Sequence, residues 1–286
     1  MASLRDIKRR IRTVQKIEKV TNAMKMVAAA RLRKAQERAE AARPYAEKMQ
    51  QVMQNLARGA GEIRHPLLEV RQERSAGFIV IGGERGLAGS YNENLMKKAL
   101  REIGGRAPEA VRVVIAGKKA AQYFKKQPYE VVETLDLSGS EVSFADISGL
   151  TRGVRSVFIQ GQVDAFYLVY SKFVSAMRQE PTCIKLLPVA AVTSGTAGEE
   201  ESQFEFEPAS EELLGRLLPR YVDTQIYQAL VEAQASEQGA RMTAMSSATK
   251  NAGEMIESLT LTYNKARQTA ITSEIVEIVS GAEALK

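Results

Sequence analysis

Two long stretches of helical hydrophobic spacing frame this chain, one at each end. From Met245 the apolar and small positions run Met245, Ala248, Ala252, Met255, Leu259, Thr262, Ala266 and Thr269, alternating steps of three and four. That is a heptad seam, the pattern of a helix that packs along one narrow line on a partner helix. The first helix supplies the partner. Leu4, Ile7, Ile11 and Val14 repeat at three and four, and the pattern continues through Ile17, Val20 and Met24. Both patterns extend well beyond an ordinary globular helix. The C-terminal one, from about Glu211 to Leu285, predicts a rod of roughly 110 Å at about 1.5 Å per residue. Ala and Thr crowd its seam, so the two backbones can approach closely while burying little apolar area. Pro219 marks a kink or the true start of this helix, and Pro44 is expected to interrupt the first one. Gly59 and Gly61 end it.

The last turns depart from the seam. Ile275, Val276, Ile278 and Val279 are apolar on more than one face, and a single seam cannot cover all four. They are expected to sit inside an apolar collar made by another protein; a helix end folded back on its own domain is the plainer alternative.

Between the helices the period changes. Gly77 to Gly82 and Val111 to Ala116 are continuous apolar runs bounded by turn residues, as buried strands are. Tyr129–Thr134, Ala165–Val174 and Cys183–Val189 are further strand candidates. Asn92–Ile103, Lys118–Lys126 and Phe144–Gln160 carry helical spacing. Strands alternating with helices predict a doubly wound, Rossmann-like α/β unit. The expected organisation is therefore an N-terminal coiled-coil helix (1–58), an α/β domain (75–190) and a C-terminal coiled-coil helix (209–286). The fold class is α/β with a long antiparallel coiled coil.

Charge sharpens this picture. The net charge is +6, but residues 1–43 hold 13 Lys/Arg against 4 Asp/Glu, while residues 208–286 hold 7 against 10. The basic excess belongs to the first helix. Leucine-zipper DNA readers place basic and apolar positions in successive segments; here they interleave, which favours an acidic protein partner over nucleic acid. No apolar run reaches the roughly 20 residues of a membrane span. One cysteine, Cys183, and one histidine, His65, leave little material for a metal site, an internal disulfide or histidine-based catalysis. The turn Gly82-Gly83-Glu84-Arg85-Gly86-Leu87-Ala88-Gly89 lies between a strand and a helix, the layout of a dinucleotide site. Its spacing is not Gly-x-Gly-x-x-Gly, and a tight structural turn is the preferred reading. A nucleotide-binding enzyme and a basic coiled-coil DNA-binding or scaffold protein stand as alternative functions.

Three motifs carry a family resemblance. Ile271-Thr272-Ser273-Glu274-Ile275-Val276-Glu277-Ile278-Val279-Ser280-Gly281-Ala282 resembles the C-terminal signature of the gamma subunits of F-type ATP synthases, here of bacterial type. Ile7-Lys8-Arg9-Arg10-Ile11 with Lys19–Ala28, and Arg85-Gly86-Leu87-Ala88-Gly89, resemble the same family near its start and middle. The resemblance implies a central rotor shaft, coupling proton-driven rotation of the c ring to conformational cycling of catalytic beta subunits. It implies no active site and no cofactor or metal in this chain. The implied partners are three alpha and three beta subunits, an epsilon subunit and the c ring, with indirect attachment to the cytoplasmic face of the bacterial plasma membrane. Carried over residue by residue, the catch with a beta-subunit loop matches Arg267 and Gln268, with Thr272 and Glu274 just beyond. Coupling residues match Met24 and Arg241, and the c-ring contact matches Phe204, Phe206 and Glu207. The middle motif departs from the family pattern, with Ala88-Gly89-Ser90 where two glycines usually close it. The cysteine pair of chloroplast forms is absent.

Overall fold

A computed structural model describes residues 3–59, 65–137, 144–189 and 210–283. Its elements are α1 (Leu4–Gly59), β1 (Ala76–Ile81), α2 (Tyr91–Ile103), β2 (Val111–Ala116), α3 (Lys118–Phe124), β3 (Glu130–Leu135), α4 (Phe144–Ile159), β4 (Ala165–Phe173), β5 (Gln179–Leu187) and α5 (Ser210–Glu283). The chain divides into two compact units. One is Ala29–Arg241; the other joins the segment up to Ala28 with the segment from Met242. Both long helices belong partly to each unit.

In the larger unit five strands form one sheet in the order β3-β2-β1-β4-β5. The first four are parallel, and β5 returns antiparallel beside β4. β1 is buried along its whole length, as a central parallel strand covered on both faces must be, which is why it reads as an unbroken apolar run. Side chains alternate between the faces. Phe78 and Val80 join Leu95, Met96 and Ala99 of α2 and Phe124 of α3. Ile79 and Ile81 join Ile147, Leu150, Val154 and Phe158 of α4 with Leu214, Leu218, Val222 and Ile226 of α5. This half of α5 carries a broad apolar stripe because it is a core helix of the α/β layer. The core of this larger unit, the foot, therefore takes in residues well beyond position 190, and Met53 of α1 as well.

Gly77 shows how closely side chains of neighbouring strands meet: its register partner on β4 is Phe166. A Cβ there would lie 2.1 Å from the Phe166 ring, which is fully buried and has no room to retreat. Gly77→Ala should lower the urea-unfolding midpoint, costing about 1–3 kcal/mol through overpacking.

In the smaller unit α1 and α5 run antiparallel. Thr249 donates a hydrogen bond to Thr21 Oγ1 at 2.8 Å, and Gly253 faces Glu18. Along the smaller unit the seam of α1 runs Leu4, Ile7, Ile11, Val14, Glu18, Thr21, Lys25 and Ala28, at strict steps of three and four, with Met24 half-buried beside it. The seam therefore leaves the apolar line after Val14 and passes through Glu18, Thr21 and Lys25. Ile17 and Val20, expected inside it, are 49% and 57% exposed. On α5 the covered line is Met245, Thr249, Ala252, Ile256, Leu259, Tyr263, Ala266 and Ala270. Met245, Ala248, Ala252, Leu259 and Ala266 are covered, as the heptad reading put them; Met255, Thr262 and Thr269 are exposed. Both lines are heptads on adjacent faces, and the one through Ile256 and Tyr263 buries more apolar area than the one through Met255 and Thr262.

The prolines also correct the expectation. α1 runs unbroken through Pro44, and α5 begins nine residues before Pro219. Pro44 is exposed, so water can satisfy the carbonyl its ring leaves unpaired. Pro219 is held from outside: its own carbonyl accepts from Arg155 Nη1 at 3.0 Å, and the same guanidinium pairs with buried Asp223.

Candidate functional site

The first candidate site is built where the glycine turn meets α5. β1 ends at Ile81, and the turn has to pass between α3 and α5. A Cβ on Gly82 would strike Ala120 at 2.7 Å, and one on Gly83 would strike the Asn92 side chain at 2.8 Å. Gly117, at φ +99°, lies against the carbonyl of Gly82. Gly82 and Gly83 answer close approach of neighbouring side chains, and Gly117 that of backbone to backbone.

The turn's amides are already committed. Gly83 N–H donates to Asn92 Oδ1 at 2.9 Å. The N–H groups of Glu84 and Arg85 both donate to the Glu237 carboxylate at 3.2 Å. A phosphate cradle needs such amides free, and here a protein carboxylate occupies them. Arg241, one turn along α5, is ion-paired with Glu237 and donates to the carbonyls of Arg85 and Gly86 at 3.3 Å. Both side chains are more than nine-tenths buried. Tyr91, fully buried, donates its hydroxyl to the carbonyl of Ala233, and burial together with the Glu237 charge pushes its phenol upward. Glu84 reaches the other way, accepting from the Lys118 amide at 3.2 Å and pairing with its ammonium at 2.9 Å. The result is a clamp that fastens the turn to α5 through charge-assisted bonds.

The strained point of the turn is Leu87, at φ +61° and 62% exposed. Ala88 behind it packs on Tyr91 and Ala240. The left-handed backbone thus turns Ala88 inward and leaves the leucine in solvent, an expense of the kind found at contact sites. Sequence reading found Arg241 but missed Glu237, Asn92 and Tyr91. The available signal was the Glu237/Arg241 pair, four residues apart among small and apolar neighbours of α5.

The second candidate site is the end of α5. Covered positions stop at Ala270; from Ile271 through Ala282 every residue is exposed. Counting antiparallel from the Thr21–Thr249 bond, the start of α1 lies opposite about residue 266, so α5 outruns its partner by roughly 25 Å. Ile275, Val276, Ile278 and Val279 are 55%, 57%, 71% and 55% exposed. Arg267, Gln268, Thr272 and Glu274 are exposed at the head of this segment, where Thr272 donates its hydroxyl to the carbonyl of Gln268 at 2.9 Å. Helical spacing puts Gln268, Thr272, Ile275 and Val279 on one stripe and Arg267, Glu274 and Ile278 on the next. Met24 is half-buried on α1 in the same unit. Arg241 belongs to the other unit, so the structure does not gather the predicted coupling residues into one site. Phe204, Phe206 and Glu207 lie outside the described residues.

Cys183 is half-buried on β5, and burial pushes its thiol up to about 11, so it is a poor nucleophile. Among the described residues no helix is long and apolar enough to cross a membrane.

Known proteins resemble this chain along its whole length. A family model described as ATP synthase matches residues 3–285. The ATP synthase gamma chain of Heliobacterium modesticaldum is 45% identical over 291 residues, covering all of both chains. That of Moorella thermoacetica is also 45% identical, over 289 residues and all of both chains. The fold resembles a chain of the Euglena gracilis mitochondrial ATP synthase, in a structure of its OSCP, F1 and c-ring, with TM-score 0.72 at 18% identity, covering 99% of this chain and 94% of that one. A chain of the Tetrahymena thermophila mitochondrial ATP synthase central stalk and c-ring gives TM-score 0.61 at 24% identity, covering 80% of this chain and 99% of that one. Matched end to end by the family model and by full-length relatives, the chain belongs to the ATP synthase gamma-chain family.

Proposed function

We propose that this chain is the central rotor shaft of an F-type ATP synthase of bacterial type. The observation that carries the reading is the exposed apolar end of α5. Four large aliphatic side chains in one solvated helix end are stable in water only at a cost of about 1.5–3 kcal/mol each relative to burial. A surrounding collar removes that cost. Apolar contacts have no preferred direction, so a helix can turn within such a collar.

In this reading three alpha and three beta subunits form the ring around the coiled coil. The epsilon subunit and c ring meet the foot, with Phe204, Phe206 and Glu207 at the c-ring contact. Membrane attachment is indirect, on the cytoplasmic face of the plasma membrane. Nucleotide chemistry resides on the beta subunits. The shaft drives it because its faces differ: the stripe of Gln268 and Thr272 and that of Arg267 and Glu274 present different contacts to each beta subunit as the helix turns. A ligand or partner shifts a conformational equilibrium only by its differential affinity for the states, and a rod without rotational symmetry supplies that difference in sequence. The basic first helix complements acidic loops around it. The clamp at Glu237 and Arg241 ties the foot to α5 at the last residues that α5 contributes to the foot unit.

The direct test is rotation. With Cys183→Ser and a single new cysteine in the exposed turn after α3 (Lys126→Cys), the chain is assembled with alpha and beta subunits, carries a probe and receives ATP. Unidirectional rotation at one copy per six larger subunits is expected; a stable assembly that hydrolyses ATP with a stationary probe would overturn the shaft role. Arg267→Ala with Gln268→Ala should leave stability within about 0.5 kcal/mol, because both side chains are exposed. It should lower ATP-driven torque and turnover roughly tenfold or more, as the loss of a central contact does. Wild-type torque in the double variant would remove the catch from these residues.

A further inference from the structure

We infer that the foot unit holds a binding site for a small phosphorylated nucleoside, in a cavity at the carboxyl end of its sheet. The cavity is about 400 Å³, within the range of roughly 300–1,000 Å³ typical of small-molecule sites. It opens beyond Ile81 and Gly82 at the end of β1 and Leu137 after β3, between residues of α1 and α5. The crevice outside the carboxyl ends of parallel strands is where open α/β sheets hold ligands.

Its walls differ in chemistry. Arg31, Lys34 and Arg38 of α1 line one side. They stand at i, i+3 and i+7, so they form a single cationic row along that helix face. Arg85 lines the mouth, its backbone held by the Glu237 carboxylate. The two carboxylates that also line the cavity, Glu84 and Glu237, are paired with Lys118 and Arg241. Arg31, Lys34 and Arg85 make the field in the cavity positive, and guanidinium groups suit phosphate oxygens. The opposite wall carries Gln234 and Gln238. Ile81, Leu137 and Ala233 supply an apolar surface for a flat ring.

Cations on one wall and an apolar floor match a molecule that has phosphates and a ring. The phosphates meet side chains of α1 here; the glycine-turn amides are already occupied. This inference does not depend on the shaft assignment.

The test is binding of ADP and of inorganic tripolyphosphate to the full-length chain, followed by calorimetry at fixed salt. One saturable site is expected for each. Arg31→Gln/Lys34→Gln/Arg38→Gln should weaken both at least tenfold. Arg12→Gln/Lys16→Gln/Lys19→Gln, with the same charge change away from the cavity, should leave both within about twofold. Glutamine is a good helix former, so both variants keep their helices. Absence of saturable ADP binding would overturn the site, as would equal weakening by the two triple variants, which would mark diffuse electrostatics. Tighter binding of polyglutamate than of ADP through the same three residues would also overturn it, giving the cavity to an acidic protein loop.

Discussion

Glu237→Ala should destabilise the foot by about 3–5 kcal/mol, more than any exposed substitution in the chain. Three losses coincide. Arg241 would keep its charge in a nine-tenths buried position with no counter-ion, and breaking one side of a buried pair costs about that much. The amides of Glu84 and Arg85 would lose their acceptor, each loss worth about 1–3 kcal/mol when the group stays dry. Relaxation of the turn toward water recovers part of the total, which keeps the estimate near the single-pair value. Glu237→Gln retains an acceptor oxygen and loses only the charge, so it should fall between wild type and alanine. Arg241→Ala should cost a similar amount, and the double variant should cost clearly less than the sum, since each residue's main burden is the partner left behind. Urea unfolding of the four proteins checks this; additive costs would show that the two side chains act independently. The coupling role carried over for Arg241 then has a physical content. The residue holds a strained, leucine-bearing turn against α5, and its loss frees that turn before it touches any partner.

Much of the foot was legible because its strands are buried on both faces. Val111–Ala116 reads as a strand from composition alone and has those limits in the structure. β5 was less legible: it starts at Gln179 rather than Cys183, on an edge where Gln179, Glu180 and Pro181 give no apolar alternation. In the coiled coil, two heptad lines lie one residue apart on each helix. On α1 the more apolar line, through Ile17 and Val20, stays in water, while Glu18 and Lys25 are partly covered in the seam, where the Glu18 carboxylate meets the open face of Gly253. Periodicity sees one helix at a time, and the choice between adjacent lines is made by the partner helix. Glu237 escaped for a different reason. A glutamate four residues before an arginine on a helix normally reads as an exposed pair, and only the glycine turn packed over it makes it a clamp.

Removing the residues after Thr272 should have the opposite profile to Glu237→Ala. Ile275, Val276, Ile278 and Val279 are all more than half exposed, so their loss leaves the isolated chain's unfolding midpoint unchanged. Assembly with alpha and beta subunits should weaken at least a hundredfold. Burying even two of these side chains in a collar is worth about 3 kcal/mol, and each 1.4 kcal/mol is tenfold in affinity. Ile275→Ser/Ile278→Ser separates the chemistry of the collar from its mere occupancy: the helix keeps its length, and assembly should still fall by a comparable factor. Competition between tagged truncated and untagged full-length chains for a limiting supply of alpha and beta subunits measures the ratio directly. Equal incorporation would mean that the end of α5 adds nothing to assembly, and the exposed apolar tip would lose its account. The two profiles together locate the division of labour within α5. Its first half, packed on the sheet from Leu214 to Arg241, stabilises the foot; its last turns contribute almost nothing to this chain's own stability, which leaves them free for the proposed collar.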